Sequence, residues 1–224
     1  MIEIADVTHA YDDRVVLRDV SLTLGEQRIG MVGANGSGKS TLARMINALV
    51  TPDTGTVTVN GIDAAKHKRR VRREVGFIFS DPDRQIIMPT VIEDIELSLR
   101  RTELTKAERT QRARAVLDRF GLADHADHPA ARLSGGQKQL LALASIFVTE
   151  PRIIVADEPT TLLDLRNSRM LREVFTTLDE RLIVVTHDLD LVDDFDRVIV
   201  LDDGRVVADD VPAAAIAAYR RMMS

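Results

Sequence analysis

A chain of 224 residues with 45 % hydrophobic content can bury one good-sized core or two small layered subdomains, and nothing suggests a third. Cysteine is absent, which excludes disulfides, thiol nucleophiles and cysteine-based metal sites and fits a reducing compartment. A formal net charge of −5 argues against a nucleic-acid partner, since such proteins carry a basic face.

The N-terminal Met-Ile-Glu-Ile-Ala-Asp starts directly on an alternating strand pattern, so no signal peptide is expected ahead of the fold. Ile2, Ile4 and Val7, then residues 15–17 with Val20, Leu22 and Leu24, predict paired strands of an antiparallel sheet, and residues 56–59 before Asn60-Gly61 add another. Tyr11, one of two tyrosines, falls in the loop of this layer, where its ring can stack on a nucleotide base or fill a hairpin end.

Residues 33–41 read G-A-N-G-S-G-K-S-T, between an apolar strand pattern at 28–32 and a helix pattern at 42–46. That is the context a phosphate-binding loop requires. Successive backbone N–H groups of Gly33, Ala34, Asn35, Gly36, Ser37 and Gly38 point into one concavity, and the helix N-terminus at Lys39, Ser40 and Thr41 adds partial positive charge. Lys39 is expected to reach the β- and γ-phosphates of a nucleotide and Ser40 to hold Mg²⁺. An ordinary glycine-rich turn explains a lone G-x-G-x-x-G but explains this string poorly.

The basic run at 66–73 contains Val71 as its single apolar residue and reads as a solvated helical face. A short buried strand at 75–79 leads into Ser80-Asp81-Pro82-Asp83-Arg84-Gln85. Two capping boxes follow, Thr90 with Glu93 and Thr105 with Glu108, opening helices with Ile92, Ile95 and Leu99 and with Ala113, Val116, Leu117 and Phe120 on their apolar faces. Ser134-Gly135-Gly136-Gln137 then occupies the N-terminus of another helix, with Ser134 as N-cap, a second phosphate-binding geometry. The longest apolar run, 140–148, is far short of the roughly 20 residues a membrane span needs, so a partner must hold the protein at any membrane it serves.

The apolar strand 153–156 ends on Asp157-Glu158-Pro159. A carboxylate at the end of a core strand beside a phosphate loop can bind Mg²⁺ or its waters, and the adjacent glutamate can polarise an attacking water. Residues 182–185 repeat the pattern and end on Thr186-His187-Asp188, which brings His187 towards the γ-phosphate. A hairpin through Asp202-Asp203-Gly204 and an alanine-rich helix close the chain.

In this order the motifs resemble the nucleotide-binding subunit of an ATP-binding-cassette (ABC) transporter over nearly the whole chain. The resemblance implies an α/β P-loop NTPase cassette with an antiparallel β layer, a mixed parallel core sheet and an inserted helical subdomain. It is a single domain, with residues 1–80 and 130–224 as nucleotide-binding core and 81–129 as helical subdomain. Residues 33–40 match its Walker A loop, Leu133 to Gln137 its signature, Asp157 and Glu158 the end of its Walker B strand, Thr161-Leu162-Leu163-Asp164 its D-loop, His187 its switch histidine and Tyr11 its base-stacking aromatic. Head-to-tail dimers are implied, with ATP held between one subunit's P-loop and Ser134, Gly135, Gly136 and Gln137 of a second copy or a homologous ATPase.

Gly76-Phe77-Ile78-Phe79, the D-P-D-R-Q string at 81–85 and T-V-I-E-D at 90–94 look like the ATPases of energy-coupling-factor importers of vitamins and metal ions. That implies a transmembrane coupling subunit, a substrate-binding membrane subunit, and a peripheral position on the cytoplasmic face of the membrane, with biotin as first choice of cargo. Ser80 stands where the family carries its Q-loop glutamine, which leaves Gln85 as the coupling residue and Ser80 with a water-mediated contact. Leu140 replaces a common arginine, a minor departure. Alternatives are a different transporter class, or a soluble ABC ATPase of DNA repair or translation; those join two cassettes or carry long coiled-coil inserts, and this chain has neither.

Overall fold

The structure, a computed structural model, describes residues 1–161 and 163–223. The chain runs through β1 (Ile2–Tyr11), β2 (Arg14–Leu24), β3 (Arg28–Gly33), α1 (Lys39–Ile46), β4 (Thr54–Val59) and β5 (Ile62–Asp63). It continues with α2 (Lys68–Glu74), β6 (Val75–Ile78), α3 (Val91–Ser98), α4 (Lys106–Arg119) and α5 (Gly135–Phe147). It closes with β7 (Ile153–Asp157), α6 (Leu165–Thr176), β8 (Arg181–Val185), β9 (Arg197–Asp202), β10 (Arg205–Asp210) and α7 (Pro212–Met223). No described helix is long and apolar enough to cross a membrane.

The backbone divides into two compact units, one of Met1–Phe77, Arg152–Glu158 and Leu178–Ser224, the other of Ile78–Pro151 and Pro159–Thr177. The first contains the antiparallel layer in the order β2-β1-β4-β5 and the core sheet in the order β10-β9-β3-β8-β7-β6. Strand β3 pairs in parallel with β8 and β9, and β7 pairs in parallel with β8, while β10 returns antiparallel on β9. Ile29, Met31 and Val32 and all five residues of β7 are buried, the continuous apolar runs of parallel strands covered on both faces. Bulges shift the β1–β2 register between Ile4 and Val7 and again before His9 and Ala10, with Asp6 and Asp19 at positive φ. Tyr11 is the last residue of β1, paired with Arg14, rather than a loop residue.

The second unit is helical, and its division differs from the expected insert at 81–129: α5 and α6 belong with it. The reason is polar as well as apolar. Lys138 bonds Asp83 at 2.7 Å, Gln85 donates to the Ala142 carbonyl at 2.8 Å, and Ser145 donates to Asp94 at 3.1 Å. Residues 138, 142 and 145 fall on one stripe of α5, one contact per turn. Asp94, 3 % exposed, also accepts from the Ile87 and Met88 N–H groups on its other oxygen. Both expected capping boxes form. On α3 the buried stripe is Val91, Ile95 and Leu99, with Ile92 only half-buried. Leu117 and Phe120 of the α4 region are buried, and Phe120 packs against Phe147 at 5.2 Å between ring centroids.

Candidate functional site

In the first unit, β3 ends in the glycine-rich loop and α1 begins on it. Gly38, the N-cap of α1, has φ 99, and a Cβ there would lie 2.5 Å from the Val16 carbonyl oxygen, so any side chain would push the loop away from β2. The Ser37 carbonyl accepts from Gly204 N–H at 3.2 Å, which ties the loop to the β9–β10 turn. Lys39 is 6 % exposed and bends back to donate to the Gly33 and Ala34 carbonyls, both at 2.8 Å. Burial lowers its pKa from the usual lysine value, opposed by the charges of Glu158 and Asp157. The loop borders a cavity of about 250 Å³ lined by Arg14, Val16, residues 35–41 and Glu158.

Ser40 and Arg44 lie one turn apart on α1, and both reach Asp157 at the end of β7. Ser40 Oγ donates to Asp157 Oδ1 at 2.7 Å, and Arg44 Nη2 lies 3.3 Å from Oδ2. The carboxylate is 3 % exposed, so these two donors compensate a charge removed from water. Sequence reasoning identified Ser40 and Asp157 but not Arg44, whose spacing of four residues from Ser40 was the available signal.

Glu158 adopts a left-handed backbone, φ 53, uncommon for a residue with a side chain, and its N–H donates to the Val185 carbonyl at 2.8 Å. Its side chain meets His187: Nδ1 is 2.7 Å from Glu158 Oε2. The structure therefore joins Glu158 to His187, and Ser40 to Asp157.

Tyr11 does not line the cavity; it is 46 % exposed and sits edge-on to His9 with centroids 4.8 Å apart. Arg14 does line it, and no motif spacing pointed to it. Its Nη2 would come within 3.2 Å of a Cβ on Gly36, so the guanidinium overhangs the loop, and it has no hydrogen bond or ion pair to any described residue. An unengaged cation over a phosphate loop strengthens anion binding without breaking an existing contact. Arg14→Ala is expected to weaken ATP binding about fivefold and Arg14→Lys less, by titration with ATP; unchanged affinity in Arg14→Ala would remove Arg14 from the site.

The second unit carries the other motif residues. Ser134 caps α5, its Oγ accepting from the Gln137 N–H at 3.3 Å and its N–H donating to Gln137 Oε1 at 2.9 Å, so the expected N-cap becomes a full capping box. At Gly136 a Cβ would lie 2.3 Å from Asn167 Nδ2. Asp164 caps α6 by accepting from Asn167 N–H at 2.8 Å, so Asp164 orders the residue packed on Gly136. Leu163 N–H donates to the Thr160 carbonyl, while Leu162 lies outside the described residues. Ser80 is half-buried. Gln85 uses its amide inside the unit, donating to Ala142 and accepting from Phe79 N–H at 3.4 Å.

Residues 17–161 match the family described as ABC transporter. The chain is 47 % identical over 213 residues to the biotin transport ATP-binding protein BioM of Rhizobium etli, covering 95 % of each. It is 38 % identical over 211 residues to the energy-coupling factor transporter ATP-binding protein EcfA1 of Lactiplantibacillus plantarum, covering 90 % of this chain and 74 % of that one. Among solved structures it resembles CbiO1 from Clostridium perfringens, part of the ABC transporter complex CbiONQ, with a TM-score of 0.85, 28 % identity, and 99 % of this chain and 92 % of that one covered.

Proposed function

We propose, from the premise that this chain belongs to the ABC transporter family and is one of its ATPases, that it is the motor subunit of an energy-coupling-factor importer on the cytoplasmic face of a membrane. The observation that carries the reading is the grouping of Lys39, the Ser40–Asp157 pair and the Glu158–His187 pair around the ends of β3, β7 and β8. The names of BioM and EcfA1 support the importer type, and BioM supports biotin as the cargo.

Lys39 would exchange its two carbonyl acceptors for the β- and γ-phosphate oxygens, joined by the N–H groups at the start of α1. Ser40 Oγ and Asp157 Oδ1, 2.7 Å apart, are the hard oxygen donors that Mg²⁺ takes, so the residues fit that ion. Bound there, Mg²⁺ would spread the charge developing on the phosphates. Glu158 accepts the proton of the attacking water as the new bond to the γ-phosphorus forms and the bond to the β–γ bridging oxygen breaks. His187 fixes the orientation of that carboxylate through Nδ1. Tyr11, outside the cavity at the phosphate loop and 46 % exposed, would offer its ring to the base. Ser134, Gly135, Gly136 and Gln137 of a second copy, with Leu163 and Asp164 beside them, close over the γ-phosphate and make the dimer head-to-tail.

The membrane partner docks on the second unit, where Ile87 is 73 % exposed in a loop whose neighbours Gln85 and Asp94 are bonded into the helices. Gln85 then couples by holding that loop to α5, and Ser80 makes the weaker, water-mediated contact. Expressed with its transmembrane partners, the protein is expected to pellet with membranes and Ile87→Glu to release most of it; retention of the variant at the wild-type level would discard this docking surface. Uptake of labelled biotin by membranes carrying the complex, against labelled Co²⁺, decides the cargo, and uptake of neither would overturn the importer reading.

A further inference from the structure

The capping box of α5 dictates where a nearby proton resides. Gln137 Oε1 accepts from the Ser134 N–H, so turning the amide over would set its NH₂ against that N–H, donor against donor. The orientation is thereby fixed, and Gln137 Nε2 lies 3.0 Å from Nε2 of His125, the last residue of the turn Ala123–His125. An amide NH₂ only donates. His125 Nε2 must therefore accept, and the proton of the neutral ring belongs on Nδ1. His125 Nδ1 is buried and has no hydrogen-bond partner, a cost the ring tolerates in order to present Nε2 as an acceptor.

We propose that His125 is a positioning residue for the signature turn: the neutral ring clamps Gln137, and a second proton on the ring releases it. An imidazolium would turn an N–H towards the Gln137 NH₂. The amide must then swing away, Ser134 N–H loses its acceptor, and the first turn of α5 opens. The titratable groups nearest the ring in sequence are Asp124, Asp127 and His128 of its own turn and Asp118 and Arg119 at the end of α4, and Lys138 of α5 follows Gln137. His128 meets it edge-on at 5.2 Å between centroids, Arg119 lies over the Phe147 ring, and Lys138 is bonded to Asp83, so none of these three supplies an alternative partner for Gln137. The clamp itself stands on the second unit alone; its consequence for ATP rests on the head-to-tail reading above.

Hydrogen exchange of the Ser134 and Gln137 backbone amides tests it, in the wild type, His125→Gln and His125→Leu, at about pH 8 and about pH 5.5, across the interval where histidine changes charge. Protection is expected to fall about fivefold with acidification in the wild type and to be low at both pH values in His125→Leu. His125→Gln, whose Oε1 accepts without titrating, should keep it at both. Wild-type protection that does not change with pH, or full protection in His125→Leu, overturns the proposal; should His125→Leu fail to fold, the wild type against His125→Gln decides alone. In a Glu158→Gln background, the ATP concentration for half-maximal dimer formation should follow the same pattern. The exchange pattern without any ATP-driven dimer would refute the head-to-tail reading and uphold the clamp.

Discussion

Glu158→Gln is expected to lower ATP turnover by roughly a hundredfold or more while ATP stays bound, the range for removing a general base. The substitution keeps the length of the side chain and keeps an oxygen for His187, but it removes the negative charge that draws the proton from water. Strain at this position, with φ 53, is common to both residues, so the backbone of the strand end has no reason to move. Hydrolysis is then blocked after closure, and the dimer should accumulate with ATP between its copies. Steady-state phosphate release and size exclusion with ATP measure the two halves separately. Turnover within a few-fold of wild type would displace Glu158 as the base, and a strictly monomeric variant would count against the closed dimer.

Lys39→Ala is expected to weaken ATP binding about a hundredfold, the loss of a charge-assisted contact to two phosphates. Burial already lowers the pKa of this ammonium, so an arriving triphosphate stabilises its charged form more than it would a solvated lysine. The loop should survive the substitution, because it is also held by the Gly204 N–H bond to the Ser37 carbonyl. Equilibrium dialysis with labelled ATP checks the affinity and thermal unfolding checks the fold. An affinity equal to that of wild type would remove the phosphate-loop assignment, and with it the argument from Ser40 and Asp157.

The parts of the site legible in the sequence are those whose chemistry is written in consecutive residues. The glycine pattern around Lys39, the acids after an apolar strand and the Ser134 cap each carry their geometry in a short string. Arg14 was not legible, because its place over Gly36 depends on how β2 approaches the loop. Asp94 appeared in the sequence as one letter of a motif; that it is buried and bonds three donors is a property of the packed unit. The same packing explains why the helical unit does not end at the expected border of 81–129. The hydrophobic pattern showed where helices begin, whereas membership of a unit is decided by the contacts of Lys138, Ala142 and Ser145, which lie on a helix beyond that border.

The pairing of β3 also sets the order in which the protein can become functional during its synthesis. The two neighbours of β3 are β8 and β9, with Arg28 opposite Leu182 and Ile29 opposite Arg197. Both emerge from the ribosome only after most of the chain has been made, whereas β1, β2 and β4 find one another early and the helices of residues 78–151 are contiguous. Non-local strand pairing of this kind is slow, and it leaves edges open meanwhile. The nascent chain therefore carries the letters of its phosphate loop from an early stage without the sheet that shapes them. Nucleotide cannot act as a template for folding until the last strands arrive, and a translation product halted before β8 exposes both edges of β3 to aggregation.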